Sequence, residues 1–245
     1  MLTLDHLTLR HGGFRLTADL TLATGSRTAV MGPSGGGKST LLSAIAGFLA
    51  PEGGRILWNG RDITGLPPGD RPVAILFQDN NLFPHLTVAQ NAGLALAPRL
   101  RMTSAENAQI VAALAAVGLA GLGQRKPAQL SGGQQGRAAL ARLLLSDRPL
   151  VLMDEPFASL GPGLRAEMLD LAKATLGAAG RTLVLVTHDP ADALRLEGDL
   201  VLVVGGQVSA PEPATRLLAN PTGALRDYLG PAAVWTSQAC GTHHK

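Results

Sequence analysis

Three short segments of this 245-residue chain carry residue types whose spacing suits work on phosphate groups. The first, Gly32-Pro33-Ser34-Gly35-Gly36-Gly37-Lys38-Ser39, fits G-x-x-x-x-G-K-[ST]. Glycines at this spacing let backbone N–H groups curl around phosphate oxygens. A helix beginning at the end of the loop adds its positive dipole end to the same anion site. Lys38 would then reach the β- and γ-phosphates of a nucleoside triphosphate and the Ser39 hydroxyl would ligate Mg²⁺, with Thr40 counted among the nucleotide-binding residues. A glycine-rich turn with a chance lysine has the same letters. The apolar strand before it and the helical pattern after it favour the phosphate cradle.

The second segment, Leu150-Val151-Leu152-Met153-Asp154-Glu155-Pro156, reads as a buried strand ending in two acids. At the carboxyl end of a parallel strand such side chains face the ligand crevice. Asp154 would belong to the Mg²⁺ shell, and Glu155, pointing differently, could orient or deprotonate an attacking water. Paired acids after a strand are also common as solvated loop charges, and it is the phosphate loop that favours the catalytic reading. The third segment, Leu130-Ser131-Gly132-Gly133-Gln134, is a helix start: Ser131 can cap it, and Gln134 completes a capping box. Its bare glycines leave N–H groups free for a second anion site. Alone, the pentapeptide is equally a well-capped helix.

The elements that must position these segments follow from periodicity. Residues 2–22 read as two short strands around His11-Gly12-Gly13, and residues 27–31 as a compact strand. Residues 38–48 have helical period, and 55–59 and 73–77 are further strands. From 87 to 147 the patterns are helical only. Strands return at 150–153, 182–187 and 199–204, with a helix at 163–176 between the first two. Short strands alternating with helices predict an α/β fold, a mostly parallel sheet covered on both faces.

Length allows one large domain with an inserted subdomain, or two small ones. The hydrophobic share of 46% suffices for a sizeable core; the 16% charged share fits either a surface partly covered by partners or an Ala/Leu/Gly-rich composition. A single cysteine, Cys240, excludes an internal disulfide and a cysteine-built metal site. Basic residues are scattered, net charge is +3 and aromatics are only 3%, so no nucleic-acid partner is expected. No run reaches the ~18 apolar residues that span a bilayer. The start MLTLDHLTLR alternates like a strand and not like a leader, so a cytoplasmic location is expected.

In its place between the phosphate loop and the Asp154-Glu155 strand, LSGGQ resembles the signature of ABC-type ATPases. The resemblance spans about residues 1–220 and implies a P-loop NTPase core with an N-terminal antiparallel β subdomain and an inserted helical subdomain. It places one cassette at 1–230: core and β subdomain at 1–86 and 148–220, the helical subdomain at 87–147, and a flexible tail at 231–245. It implies catalytic roles for Glu155, His188, Lys38 and Gln78. Gln78 would contact Mg²⁺ and signal to the membrane subunit, and His188 would contact the γ-phosphate as the switch histidine. It also implies a head-to-tail dimer around two ATP molecules, in which Ser131, Gly132, Gly133 and Gln134 serve the partner's nucleotide. Two transmembrane permease subunits and, indirectly, a periplasmic binding protein complete the assembly, with the cassette on the cytoplasmic face of the bacterial inner membrane.

Three positions depart from that family's pattern. His11 stands where an aromatic residue usually stacks on adenine, with Phe14 as an alternative ring. Gly161 replaces the usual D-loop aspartate (FASLG for FSALD), which bears on coupling between sites. As a helix cap, glycine costs only a few tenths of a kcal/mol relative to aspartate. Gln135-Gly136-Arg137 stands where Arg-Gln-Arg is frequent. The stretch Phe77-Gln78-Asp79-Asn80-Asn81-Leu82-Phe83, followed by His85-Leu86-Thr87-Val88-Ala89-Gln90-Asn91, looks like the ATP-binding subunits of bacterial thiamine importers. The chain also ends without the C-terminal β-domain of sugar and polyamine importer ATPases. Thiamine or its phosphates are the expected cargo. The alternatives are another small-solute importer (polyamine, iron or sulfate type) and a poorly hydrolysing ATP-gated clamp.

Overall fold

A computed structural model describes residues 1–221 and 223–230, His11 by its backbone alone. The tail expected at 231–245, with Cys240, lies outside the described residues. The chain opens with β1 (Leu2–His11) and β2 (Phe14–Leu22), an antiparallel pair. Leu2 and Leu4 point into the core, and so do Leu7 and Leu9. The period of two slips by one residue at a bulge between Leu4 and Leu7, where His6 takes φ 45°. β3 (Arg27–Met31), α1 (Lys38–Ala46), β4 (Gly53–Trp58), β5 (Arg61–Asp62) and β6 (Val73–Leu76) follow.

Between β6 and the next strand the described residues form only helices and turns. These are α2 (Val88–Gly93), α3 (Ser104–Ala116) and α4 (Gly132–Leu145), with a 3-10 turn at Pro127–Gln129. The remainder is β7 (Leu150–Asp154), α5 (Pro162–Ala178), β8 (Thr182–Val186), α6 (Pro190–Leu196), β9 (Asp199–Val204), β10 (Gln207–Val208), β11 (Glu212–Pro213), α7 (Ala214–Ala219) and α8 (Gly223–Leu229).

The strands form an 11-stranded sheet in the order β5-β4-β1-β2-β10-β9-β3-β8-β7-β6, with β11 against β9. The run β9-β3-β8-β7-β6 is parallel throughout. Every residue of β8 is buried, as expected of a strand covered on both faces. Alternate residues of the parallel strands feed two cores. Val151 and Met153 join Leu140, Leu169 and Leu194 from the helices; Leu150 and Leu152 join Leu42 and Ile45 of α1 and the leucines of β1 and β2. The helix after the phosphate loop is thus held between the parallel strands and the antiparallel β1–β2–β4 layer.

The expected strands and helices are present, their ends unchanged or shifted by up to three residues. β5, β10, β11 and α6–α8 are additional. Two-residue strands carry no readable alternation, and helices of six or seven residues carry barely two turns of period.

Candidate functional site

The site lies where the parallel strands end. Register places Val30 beside Val186 and Asp154 beside Val186, so the loops leaving β3, β7 and β8 emerge side by side. Thr187 N donates to Val30 O at 3.2 Å, and Glu155 N donates to Val186 O at 3.1 Å, extending the ladder to the rim. β6 pairs Leu76 with Met153, which brings Gln78 to the same rim, exposed.

Residues 32–37 form the loop between β3 and α1, and close approach requires the glycines at its two ends. A Cβ on Gly32 would lie 2.1 Å from Val203 O, and one on Gly37 would lie 2.6 Å from Leu16 Cδ1 and 2.7 Å from Phe14 Cε1. Gly37 starts α1 at φ 101° with no side-chain cap. Pro33, Ser34 and Gly35 are exposed above, and Ser39 is exposed on the first turn of α1. Lys38 is buried, and its ammonium donates to Gly32 O at 2.8 Å and Pro33 O at 3.0 Å. Phe14 is part of the loop's floor. The adenine-stacking assignment of His11 concerns a side chain outside the described residues.

Asp154 ends β7 with its side chain against Ser39. Burial pushes its carboxyl above the ordinary value; the Ser39 hydroxyl and Lys38 pull it down, and Glu155 pushes it further up. Glu155 sits at φ 45°, a region that costs a non-glycine residue about 1–3 kcal/mol. Its Oε2 lies 3.2 Å from His188 Nδ1. Lys38, Ser39, Asp154, Glu155 and His188 therefore form one cluster, drawn from three strand ends.

The signature residues lie elsewhere. Ser131 caps α4, with Gln134 N donating to Ser131 Oγ at 3.3 Å and Ser131 N donating to Gln134 Oε1 at 3.1 Å, the expected capping box. Ser131 and Gly132 are exposed, while Gly133 is buried under Leu164 of α5. Among the described residues no hydrogen bond links this segment to the phosphate loop. Gln135 Nε2 donates to Pro127 O at 3.1 Å, and Arg137 donates to Val117 O at 3.2 Å and pairs with Glu167. Gly161 caps α5 with Pro162 in the first helical position.

The loop after Gln78 owes its shape to asparagines. Asn80 and Asn81 take φ 58° and 44°, a conformation asparagine tolerates better than most residues. Arg142 of α4 donates to Asn81 O at 2.8 Å and Asn80 O at 3.0 Å. Buried Asn91 accepts from Phe83 N at 2.7 Å and donates to Phe83 O at 3.1 Å and Thr87 O at 3.0 Å. Thr87 and Gln90 form a capping box on α2. Phe83, 48% exposed, edges a groove of about 200 Å³ with Ile75, Leu94 and Arg142.

Sequence reasoning missed a polar network behind His188. Arg165 of α5 donates from Nε at 3.0 Å and Nη2 at 2.5 Å to Asp192 Oδ2, and from Nη2 to Thr187 Oγ1 at 3.1 Å. Thr187 Oγ1 donates to Asp192 Oδ2 at 2.6 Å. The arginine and aspartate stand 27 positions apart. The Asp189-Pro190 pair that opens α6 is the available signal, since it predicts the helix that carries Asp192.

Residues 17–158 match the family model described as ABC transporter. That is more than half of the chain, and it takes in the phosphate loop, the signature segment, Asp154 and Glu155. The chain belongs to the ABC transporter family. Among curated proteins, this ABC protein is similar to the thiamine import ATP-binding protein ThiQ of Cereibacter sphaeroides, 59% identical over 94% of this chain and 100% of that one. The same-named protein of Ruegeria sp. is 54% identical with the same coverage. Among solved structures, the ADP conformation of MJ1267, an ATP-binding cassette of an ABC transporter, superposes with a TM-score of 0.82 at 25% identity, covering 93% of this chain and 97% of that one. The dimeric bacterial ABC transporter cassette MJ0796 superposes with a TM-score of 0.75 at 29% identity, covering 87% and 99%. Among the described residues, no helix of this ABC protein is long and apolar enough to cross a membrane.

Proposed function

We propose that this chain is the ATP-hydrolysing subunit of an ABC importer for thiamine or its phosphates. The observation that carries the hydrolytic part is the convergence of Lys38, Ser39, Asp154, Glu155 and His188 at the carboxyl edge of the parallel sheet. Lys38, buried and held by carbonyls of its own loop, exchanges those partners for the phosphates of ATP. The loop N–H groups and the start of α1 hold the phosphate charge. Glu155 orients the attacking water and takes its proton, and His188, 3.2 Å from Glu155, approaches the γ-phosphoryl group. The bond from the γ-phosphorus to the bridging oxygen breaks, leaving ADP and phosphate.

The donor set suits Mg²⁺: the Ser39 hydroxyl and the Asp154 carboxylate are hard oxygen ligands, and the carboxyl is raised by burial, a penalty a cation would relieve. Gln78 at the same rim would join them. Held by these residues, Mg²⁺ would supply positive charge against that of the nucleotide's phosphates. The roles of Ser131, Gly132, Gly133 and Gln134 fall to the ATP of a second copy, since they stand apart from this chain's own cluster. The segment 78–91 and its groove receive the permease, placing the subunit at the inner membrane's cytoplasmic face, with a periplasmic binding protein beyond. The thiamine assignment is supported by the relatives that carry that name.

Steady-state hydrolysis of Mg-ATP by the purified chain tests the catalytic reading. Wild type should turn over. Glu155→Gln should bind ATP and lose at least about 10²-fold in rate, the lower end for loss of a general base. Binding without turnover in the wild type would favour the ATP-gated clamp. Transport by proteoliposomes containing the permease and binding protein, offered thiamine, spermidine, iron and sulfate, tests the cargo.

A further inference from the structure

We propose that the first turn of α5 couples the two nucleotide sites of the dimer, with Leu164 reporting on the signature helix and Arg165 positioning His188 through Thr187 and Asp192. This rests on the ATP-sandwich reading above.

The turn touches both sites at once. Leu164 lies so close over Gly133 that a Cβ there would be 2.4 Å from Leu164 Cδ2. Movement of the signature segment against a partner's ATP must therefore move Leu164 or be blocked by it. The next residue, Arg165, makes two hydrogen bonds to Asp192 Oδ2 and one to Thr187 Oγ1. The same hydroxyl accepts from Asp189 N at 3.1 Å, so the network grips both neighbours of His188. Arg165 and Asp192 are only 14% and 12% exposed, so little solvent screens the pair, and its geometry passes to whatever it holds. A cavity of about 10 Å³, room for one water, separates the network from Glu155 and Phe157, leaving slack for a small shift.

Gly161 makes this route matter more here. A Cβ built on it would meet nothing within 4 Å, and glycine offers no carboxylate to a neighbouring copy. Leu164 and Arg165 are then the side chains through which the start of α5 engages the signature segment and the switch loop. Coupling of this kind is reciprocal in binding, so ATP on one site should sharpen the response of the other.

The test is the ATP dependence of hydrolysis by the full-length chain, with kcat, KM and Hill coefficient measured separately. Wild type should give a Hill coefficient above one. Arg165→Gln should lose about 10- to 100-fold in kcat through misplacement of His188, keep KM within about twofold, and lower the Hill coefficient towards one. Arg165→Lys, which keeps the charge without the fork, should recover part of kcat. Leu164→Ala should lower the Hill coefficient with a smaller loss of kcat. If Arg165→Gln does not fold, by circular dichroism, Leu164→Ala and Thr187→Val decide the matter. Unchanged Hill coefficients in the folded variants, or equal loss of kcat and affinity at wild-type cooperativity, would overturn the coupling role. A wild type that hydrolyses without cooperativity would overturn it too, while one that neither hydrolyses nor dimerises would overturn the functional reading beneath it.

Discussion

Two loops leave β3 and β6, parallel strands of one sheet with β8 and β7 between them, at the same rim and are built in opposite ways. The loop at 32–37 is mostly glycine, and Gly32 and Gly37 leave no room for side chains. What it presents is backbone N–H groups, with one buried ammonium parked on carbonyls. The loop at 78–87 is rich in side chains that satisfy its own backbone. Asn91 and Arg142 between them take the carbonyls of Asn80, Asn81, Phe83 and Thr87. What it presents to solvent is Gln78, Phe83 and His85. The first loop, proposed to hold an anion, keeps most of its donors uncommitted; the second, proposed to meet a protein surface, commits its backbone so that projecting side chains hold their place.

The largest effect should come from breaking the first loop. Lys38→Ala removes the charge without touching the packed glycines, so ATPase activity should fall about 10²–10³-fold, the cost of losing one transition-state donor. Thermal melting should be nearly unchanged. In the second loop the order reverses. Asn91→Ala strands the N–H of Phe83 and takes one of two donors from the carbonyls of Phe83 and Thr87, which keep Leu86 N and Asn91 N, and should cost about 1–3 kcal/mol of stability in denaturant titration. ATPase of the isolated cassette should stay within a few-fold, with the loss appearing as uncoupled transport.

A smaller effect separates ligand binding from stability inside the first region. The Asp154 carboxyl is raised by burial, so the native state holds its proton more tightly than the unfolded chain. Stability of the nucleotide-free protein should therefore decline as pH rises from about 3.8 through the raised native value, and stay lower at neutral pH. Asp154→Asn should remove that decline, raise the neutral-pH Tm by about 1–3 °C and weaken stabilisation by Mg-ATP. The smallest effect is at Gly136, behind the second loop. A Cβ there would meet Asn80 Oδ1 at 3.9 Å and Phe157 Cδ1 at 4.0 Å, ordinary contacts, so Gly136→Ala should stabilise by about 0.5–1 kcal/mol in the same titration.

The contrast between the loops also marks what could be read from residues alone. Lys38, Ser39, Asp154 and Glu155 were legible because glycine spacing and strand-terminal acids are local signals, and the capping box at Ser131 and Gln134 was legible for the same reason. The second loop was legible as distinctive, but not why: that Asn91 holds Phe83 and Thr87, and Arg142 holds Asn80 and Asn81, depends on α2 packing against α4 and α4 against β6. The Arg165–Asp192–Thr187 network joins three elements across the fold and leaves no periodic trace. α6 to α8 escaped because helices of six or seven residues barely establish a period.

The central claim is that Lys38 and Ser131 of one chain serve different nucleotides. Sedimentation of Glu155→Gln with saturating Mg-ATP, alone and with Ser131→Arg added, tests it most directly. The single variant should sediment as a dimer holding ATP, and the double variant as a monomer that still binds ATP through its own phosphate loop. A single variant that stays monomeric, or a double variant whose monomer no longer binds ATP, would contradict the claim.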